Sequence, residues 1–410
     1  MANKIIGKTD ISGALNLGGI TANSKRPVLV VGEGVDETKE VVFRLRGTAD
    51  AATHFGPTSP CNNIIRALIL NGVKVVYGIC VGDVGTETQV SKTVAADENN
   101  NPIKDSEGNY TIIENTDSYG GNTATVQVTE LVGGAYASKA EAYAAAFKQS
   151  LADTEVMLII LDTCDSTIFD PLAKHLKDAE AADLYRYAVV GMPASVTDNL
   201  KAIEMAEKLN SDRMFIGFPN LVDDNNITLE GYMTAAGIAS ILNTKTDDPA
   251  LPTNNIGVVG FGGVSSKIDE EAYTELMDFG VVPFVIEDGI PVIWRMVTTA
   301  QKSTGAQALE SIWHDATTRL IADDVLSTVL AKLKHNYKRT KNVVRILNAI
   351  RTDIISVLDQ KLAVEIIEEF DPNLVTVVKD PNDRYGALAD FEYKVVSPLY
   401  TITVTQHIKI

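Results

Sequence analysis

Residues 135–190 read AYASKAEAYAAAFKQSLADTEVMLIILDTCDSTIFDPLAKHLKDAEAADLYRYAVV, and their texture decides the fold. A helical pattern over Ala135–Leu151 leads into the apolar run Val156–Leu161, and a second, Asp170–Ala182, leads into Tyr187–Val190. Short, uniformly apolar runs between amphipathic helices mark strands buried on both faces. Downstream the alternation continues, with helix Thr197–Leu209 before strand Arg213–Gly217 and a helix around Tyr232–Leu242 before strand Ile256–Val259. The expected class is α/β, a mostly parallel central sheet covered by helices.

Upstream, Arg26-Pro27 precedes the apolar run Val28–Val31. Ser59-Pro60 opens a helix with proline at its first position, Gly72 closes it, and Val73–Val81 gives another buried strand. Residues 86–132 are polar and rich in Thr, Asn and Gly, and read as a small β-rich excursion. Residues 1 to about 24 are punctuated by glycines and read as an extended arm. After about Gln301 two long helical patterns, Ala306–His335 and Lys341–Phe370, precede strands at Leu374–Val378 and Phe391–Val396, and Asp371-Pro372-Asn373 is expected to stop the second helix. Tyr400–Ile410 reads as one more strand, with Tyr400, Ile402, Val404, Gln406, Ile408 and Ile410 on one face and threonines, His407 and Lys409 on the other. A half-buried strand at the end of a chain has no downstream hairpin partner, so an edge on a neighbouring molecule is a natural place for it.

At 410 residues the chain is long enough for two or three domains. Its net charge of −18 argues against a nucleic-acid partner, because phosphate contacts need a basic surface. No apolar stretch is long enough to cross a bilayer, and the first residues lack the apolar core of a secretory signal, so a cytoplasmic chain without membrane insertion is expected. Cys61, Cys80 and Cys164 are scattered and read as free thiols.

No chemical motif is complete. Gly32-Glu33-Gly34 has Glu37 where a dinucleotide fingerprint needs its third glycine. Residues 257–267 (GVVGFGGVSSK) interpose Val264, Ser265 and Ser266 before the lysine of a phosphate loop. Asp97–Pro102 lacks both the sharp-turn glycine and the bidentate acid of a calcium loop. The five histidines have no metal-ligand spacing, so neither a metal nor a cofactor is expected. Asp162 and Asp165, just past a buried strand, with Cys164 and His175 nearby, leave open an α/β hydrolase or transferase; the bland alternative is a helix-capping acid beside core residues. Lys332, Lys334, Lys338, Arg339, Lys341 and Arg345 form a basic stretch without an acid among them. It is either a solvated face or a docking surface.

Several segments, in order, resemble contractile tail sheath proteins of myophages, phage-tail-like bacteriocins and contractile injection systems. They are KRPVLVVGEG (25–34), His54-Phe55-Gly56-Pro57, CNNIIRALILNGVKVVYGIC (61–80), Phe279–Pro283 and Tyr385–Leu388. Trp294–Thr299 (WRMVTT) departs from the W-G-x-R-T usual in that family. The resemblance implies a structural protein, not an enzyme, with a subtilisin-like middle domain lacking the protease triad. It implies an N-terminal arm (1–24), an outer α/β domain (25–300, with the excursion 86–132), an inner α+β domain (301–398) and an exchange strand (399–410). Strand exchange would use Ile5, Ile6, Ile11, Leu15, Leu17 and Ile20 of the arm and the six residues of the Tyr400 face. The basic stretch would meet the inner tube or an adjacent subunit. The partners implied are further copies in hexameric rings, an inner tube protein, and baseplate and terminator proteins. Assembly would occur in a bacterial host cytoplasm, and the product would be the tail of a virion or a phage-tail-like particle.

Overall fold

The computed structural model describes residues 26–35, 39–114, 119–244, 248–301 and 310–399. The chain runs β1 (Val28–Gly32), β2 (Phe43–Leu45), α1 (Thr48–Phe55), α2 (Pro60–Leu70) and β3 (Val76–Cys80), then a long hairpin, β4 (Thr86–Ala95) and β5 (Thr123–Val132). Three helix–strand units follow: α3 (Lys139–Ser150) and β6 (Leu158–Leu161), α4 (Phe169–Ala181) and β7 (Tyr187–Val190), α5 (Asn199–Leu209) and β8 (Met214–Phe218). Next come β9 (Leu221–Val222), α6 (Gly231–Thr244), β10 (Ile256–Gly257), β11 (Gly263–Val264), α7 (Glu270–Asp278) and the hairpin β12 (Val282–Glu287) and β13 (Ile290–Ile293). The last part holds α8 (Ala316–Asn336), α9 (Val344–Ala363), β14 (Ile367–Glu369), β15 (Thr376–Lys379), β16 (Ala387–Asp390) and β17 (Lys394–Val395).

Nine strands form one sheet in the order β10-β13-β12-β8-β7-β6-β1-β3-β2. The six from β12 to β3 are parallel, and antiparallel strands finish both edges. The central strands are apolar throughout because helices cover both faces, and their two-residue period divides the core. Val28, Val30, Leu158, Ile160 and Val189 pack in one layer with the apolar residues of α2 and α6. Leu29, Val31, Ile159, Leu161 and Val190 pack in the other with α3, α4 and α5. Each fully buried side chain of this kind contributes about 1.5–3 kcal/mol, so both layers are needed to hold the sheet.

Local sequence sets the helix limits. Ser59 caps α2 by accepting from Asn62 N at 3.1 Å, Pro60 occupies its first turn, and Gly72 leaves it with φ 88°. Asp315 caps α8 in the same way through Thr317 N at 2.8 Å, so α8 begins at Ala316 after a 3₁₀ turn over Glu310–His314; residues 306–309 of the expected helix lie outside the described residues. α9 ends at Ala363, earlier than the expected Phe370. Glu365 takes φ 60°, its amide bonds back to Leu362 O at 3.1 Å, and the Ile366-Ile367 pair turns into β14. β10 is an antiparallel edge strand, not the next member of the parallel series. That place belongs to β12, delivered by α7, whose cap Asp269 accepts from Ala272 N at 2.9 Å. The excursion is the β4–β5 hairpin, in which Thr86 pairs with Val132 and Ala95 with Thr123.

α8 lies between two bodies of packing. Ala316 and Leu320 join the core of the large sheet, while Ile321, Val325 and Val329 pack with Ile354, Val357 and Leu358 of α9 and with Ile367 and Val375.

Candidate functional site

The fold gives Asp162, Asp165 and His175 separate sets of partners. Asp162 follows β6 at the place where strand order reverses, since β1 leads across to β3 on one side while β6 leads to β7 on the other. In open α/β sheets that crevice is the usual ligand site. Here the chain's own groups occupy it. The Asp162 carboxylate, 8 % exposed, accepts from Glu33 N at 2.8 Å, from the Tyr143 hydroxyl and from the Cys61 thiol. A Cβ at Gly32 would stand 2.2 Å from Asp162 Cγ and 2.4 Å from Cys61 Sγ, so this position admits only glycine. Burial raises the Asp162 pKa against the pull of its donors, and burial next to that carboxylate lifts Tyr143 and Cys61 well above their ordinary values.

The other candidates are also internal fittings. Asp165 accepts from Thr167 N at 2.9 Å and starts the 3₁₀ turn Ser166–Ile168. Burial pushes the Cys164 thiol up to about 12, so it carries no ready thiolate. His175 faces inward from α4 with Nε2 3.1 Å from Arg186 Nη1; burial first, and that guanidinium second, lower its pKa to about 3. The neutral ring therefore accepts from the arginine. Arg186, fully buried, also donates to Ser150 O at 2.8 Å and to Asp153 O, tying down the end of α3. Among the described residues no group of three His, Cys, Asp or Glu side chains is placed to hold a metal ion.

A second polar cluster, which the sequence reading does not single out, closes the seam between α8 and the sheet. Arg213, next to β8, grips Asp323 of α8 with both guanidinium nitrogens, at 2.6 and 3.1 Å. Arg319, one turn earlier on α8, reaches Asp323 at 3.3 Å, Glu180 at 2.8 Å and Asp212 at 3.1 Å. The Tyr187 hydroxyl donates to Asp323 as well. The visible signal in the sequence is the Arg319–Asp323 spacing of four, which reads there as a surface pair.

Beyond the seam the last part of the chain is half covered. β14 pairs only with β17, and β15 only with β16, so each pair is a two-stranded sheet among the described residues. Leu374, Val378, Leu388 and Leu399 are exposed there. Isolated two-stranded ribbons are marginal, and free edges with exposed apolar residues accept further strands. Of the basic stretch, Lys332 pairs with Asp353 at 3.6 Å and Lys334 with Asp183 at 3.5 Å, whereas Lys338, Arg339, Lys341 and Arg345 are exposed around the α8–α9 turn. The residues expected to exchange strands, Ile5, Ile6, Ile11, Leu15, Leu17, Ile20, Tyr400, Ile402, Val404, Gln406, Ile408 and Ile410, lie outside the described residues. Arg26 is buried within electrostatic reach of Asp323 and Asp324 of α8, and Leu399 follows β17.

Solved structures share the fold along nearly the whole chain. The sheath tail protein of Desulfitobacterium hafniense superimposes with a TM-score of 0.58 at 10% identity, covering 97% of this chain and 100% of that one. A protein in the contracted helical sheath of the anti-feeding prophage gives 0.62 at 14% identity, with 99% and 98% covered. A chain from the six-fold symmetrised baseplate of the same particle gives 0.63 at 14% identity, with 100% and 99% covered. The chain has the fold of contractile tail sheath proteins. No family model matches the sequence, and no curated protein does. The likeness extends over nearly the full length of both chains in each case.

Proposed function

We propose that this chain is a structural subunit of a contractile sheath. It polymerises as hexameric rings around an inner tube, bounded by baseplate and terminator proteins, and its contraction drives the tube through a target envelope. The observation that carries this reading is end-to-end correspondence with sheath folds, including one in a particle described as contracted. The division into an N-terminal arm (1–24), an outer domain (25–300), an inner domain (301–398) and an exchange strand (399–410) belongs to the same proposal. So does the likeness of the middle part to subtilisin. The arm and the Tyr400–Ile410 face add strands to the open two-stranded sheets of neighbouring copies, where backbone hydrogen bonds give attachment that tolerates side-chain movement. The exposed turn at Lys338, Arg339, Lys341 and Arg345 faces the tube or an acidic neighbour. The role is mechanical, not catalytic, which the self-filled crevice at Asp162 supports. Assembly takes place in the host cytoplasm, and the product is a virion tail or phage-tail-like particle.

The test is deletion of residues 401–410. The truncated chain should keep its circular dichroism spectrum and melting behaviour yet give only small particles by negative-stain microscopy, where the full chain gives hollow cylinders. Full-length cylinders from the truncated chain would refute strand exchange.

A further inference from the structure

The nine-stranded sheet carries opposite charge towards its two edges. At the β2 edge Arg44, Arg46 and Lys74 line an open groove around Leu45. All three are exposed, and none is paired with an acid among the described residues. The acids beside them are engaged within the chain: Asp50 accepts from Arg46 N at 3.1 Å and faces His54, and Glu155 accepts from the Tyr77 hydroxyl. Towards the opposite side of the sheet, where β12 and β13 lie inside the edge strand β10, α7 and the β12–β13 turn present Glu270, Glu271, Glu275, Glu287 and Asp288, all exposed and without a cation partner among the described residues. Lys267 is the only base between residues 265 and 293. β12 and β13 stand six and seven strand spacings of about 4.8 Å from β2, which puts the two charged regions about 29–34 Å apart across the protomer.

We infer that these edges bind each other between copies, the basic groove of one protomer against the acidic α7 edge of the next. Charge selects the occupant. A chain of net charge −18 repels its own copies over most of its surface, so an exposed cationic edge is a place where a second copy meets attraction. Charge also selects the geometry. A two-fold pair would have to match basic to acidic twice in one interface, which regions on opposite sides of the sheet do not allow, so the contact is head-to-tail, and a head-to-tail contact repeats into a ring or a helix. This deepens the sheath reading, on which it rests for the presence of many copies, by naming a lateral contact in the body of the protomer that is separate from the tails.

The experiment reverses each edge separately, with R44E/R46E/K74E and E270K/E271K/E275K. A control, K174E/K177E, adds negative charge on exposed positions of α4, which packs with α3 and β7 away from both regions. Either edge variant alone should raise the concentration needed for assembly about tenfold at low salt, while the control moves it much less. The two edge variants mixed should recover assembly, since each supplies the charge the other lost, and the recovery should fade with added salt. Equal assembly by wild type and both variants overturns the contact, as does a control that weakens assembly equally. If the wild-type chain forms no cylinders, the sheath reading fails, while sedimentation of the mixed variants still decides the contact. A salt-sensitive 1:1 association supports it, and two unassociated species overturn it.

Discussion

Replacing Asp323 with Asn removes one negative charge from the seam while keeping the side chain's shape. The carboxylate is 5% exposed and receives Arg213 at 2.6 and 3.1 Å and Arg319 at 3.3 Å, so both guanidinium groups lose their shared counter-ion at once. Removing one member of a buried ion pair costs about 3–5 kcal/mol, because the survivor is stranded away from water. Glu180 and Asp212 still face these arginines, but they are 35% and 34% exposed and so only partly make up for the loss. The expected destabilisation is therefore near the lower end, about 3 kcal/mol, or roughly a hundredfold in the folding equilibrium. Urea unfolding of a chain lacking residues 401–410, kept unassembled, measures it. Trp313, whose ring lies 5.0 Å from the Arg319 guanidinium, provides a fluorescence signal at the seam itself. The counter-variant R213M/R319M/D323L removes all three buried charges; Glu180 and Asp212 are about a third exposed and turn to water, while the buried Tyr187 hydroxyl loses its acceptor, so the cost should be about 1–2 kcal/mol, below that of D323N. A loss under about 1 kcal/mol for D323N, or a larger loss for the triple variant than for the single one, would refute this account of the seam.

Three further outcomes follow from the same geometry. The folded pKa of His175 is lowered to about 3 from an ordinary 6.5, so the neutral ring favours folding, and its contribution is complete above pH 6.5 and lost as pH falls towards 3. Between pH 6.5 and 5, above most carboxylate titrations, stability should fall by up to about 1.4 kcal/mol per pH unit from this residue, and H175Q should flatten the slope; identical slopes would rule His175 out. Gly32→Ala should cost about 2–3 kcal/mol through overlap with Asp162 and Cys61, and adding Cys61→Ala should recover part of it, so a fully tolerated G32A would mean that the crevice has room to spare. K338E/R339E/K341E should leave the melting temperature unchanged but reduce co-sedimentation with purified inner tubes; unaltered co-sedimentation would count against docking through this turn.

Much of the architecture was legible because burial on both faces leaves an unmistakable composition. LIIL at 158–161 and YAVV at 187–190 contain no polar residue that a solvent-facing position would tolerate. Ser59-Pro60 and Gly72 fixed α2 through hydrogen-bond needs that are local to the chain. The misreadings share a physical cause. β10 spans two residues and α7 is largely acidic outside its buried Leu276, so the edge of the sheet depends on pairing partners and not on local pattern. The last turns of the expected Lys341–Phe370 helix were lost because Ile366 and Ile367 satisfy helical and strand spacing equally. The backbone at Glu365 made the choice.

The polar interior was the least legible part, and for a reason that bears on function. Arg319 and Asp323 look like a solvent-facing pair on α8, because sequence spacing records which residues share a face and not what that face meets. In the fold the face meets Arg213, Glu180 and Asp212, and the pair becomes the centre of a buried network. Such networks add little net stability compared with apolar packing, but they penalise every misaligned arrangement, because each shift strands a charge. An apolar seam could slide by a fraction of a helical turn at little cost. This one holds α8 to the sheet in a single orientation, and with it the open strand edges of the last part of the chain. On the sheath reading, the direction in which each protomer presents those edges to its neighbours is therefore set inside the protomer before any copy joins.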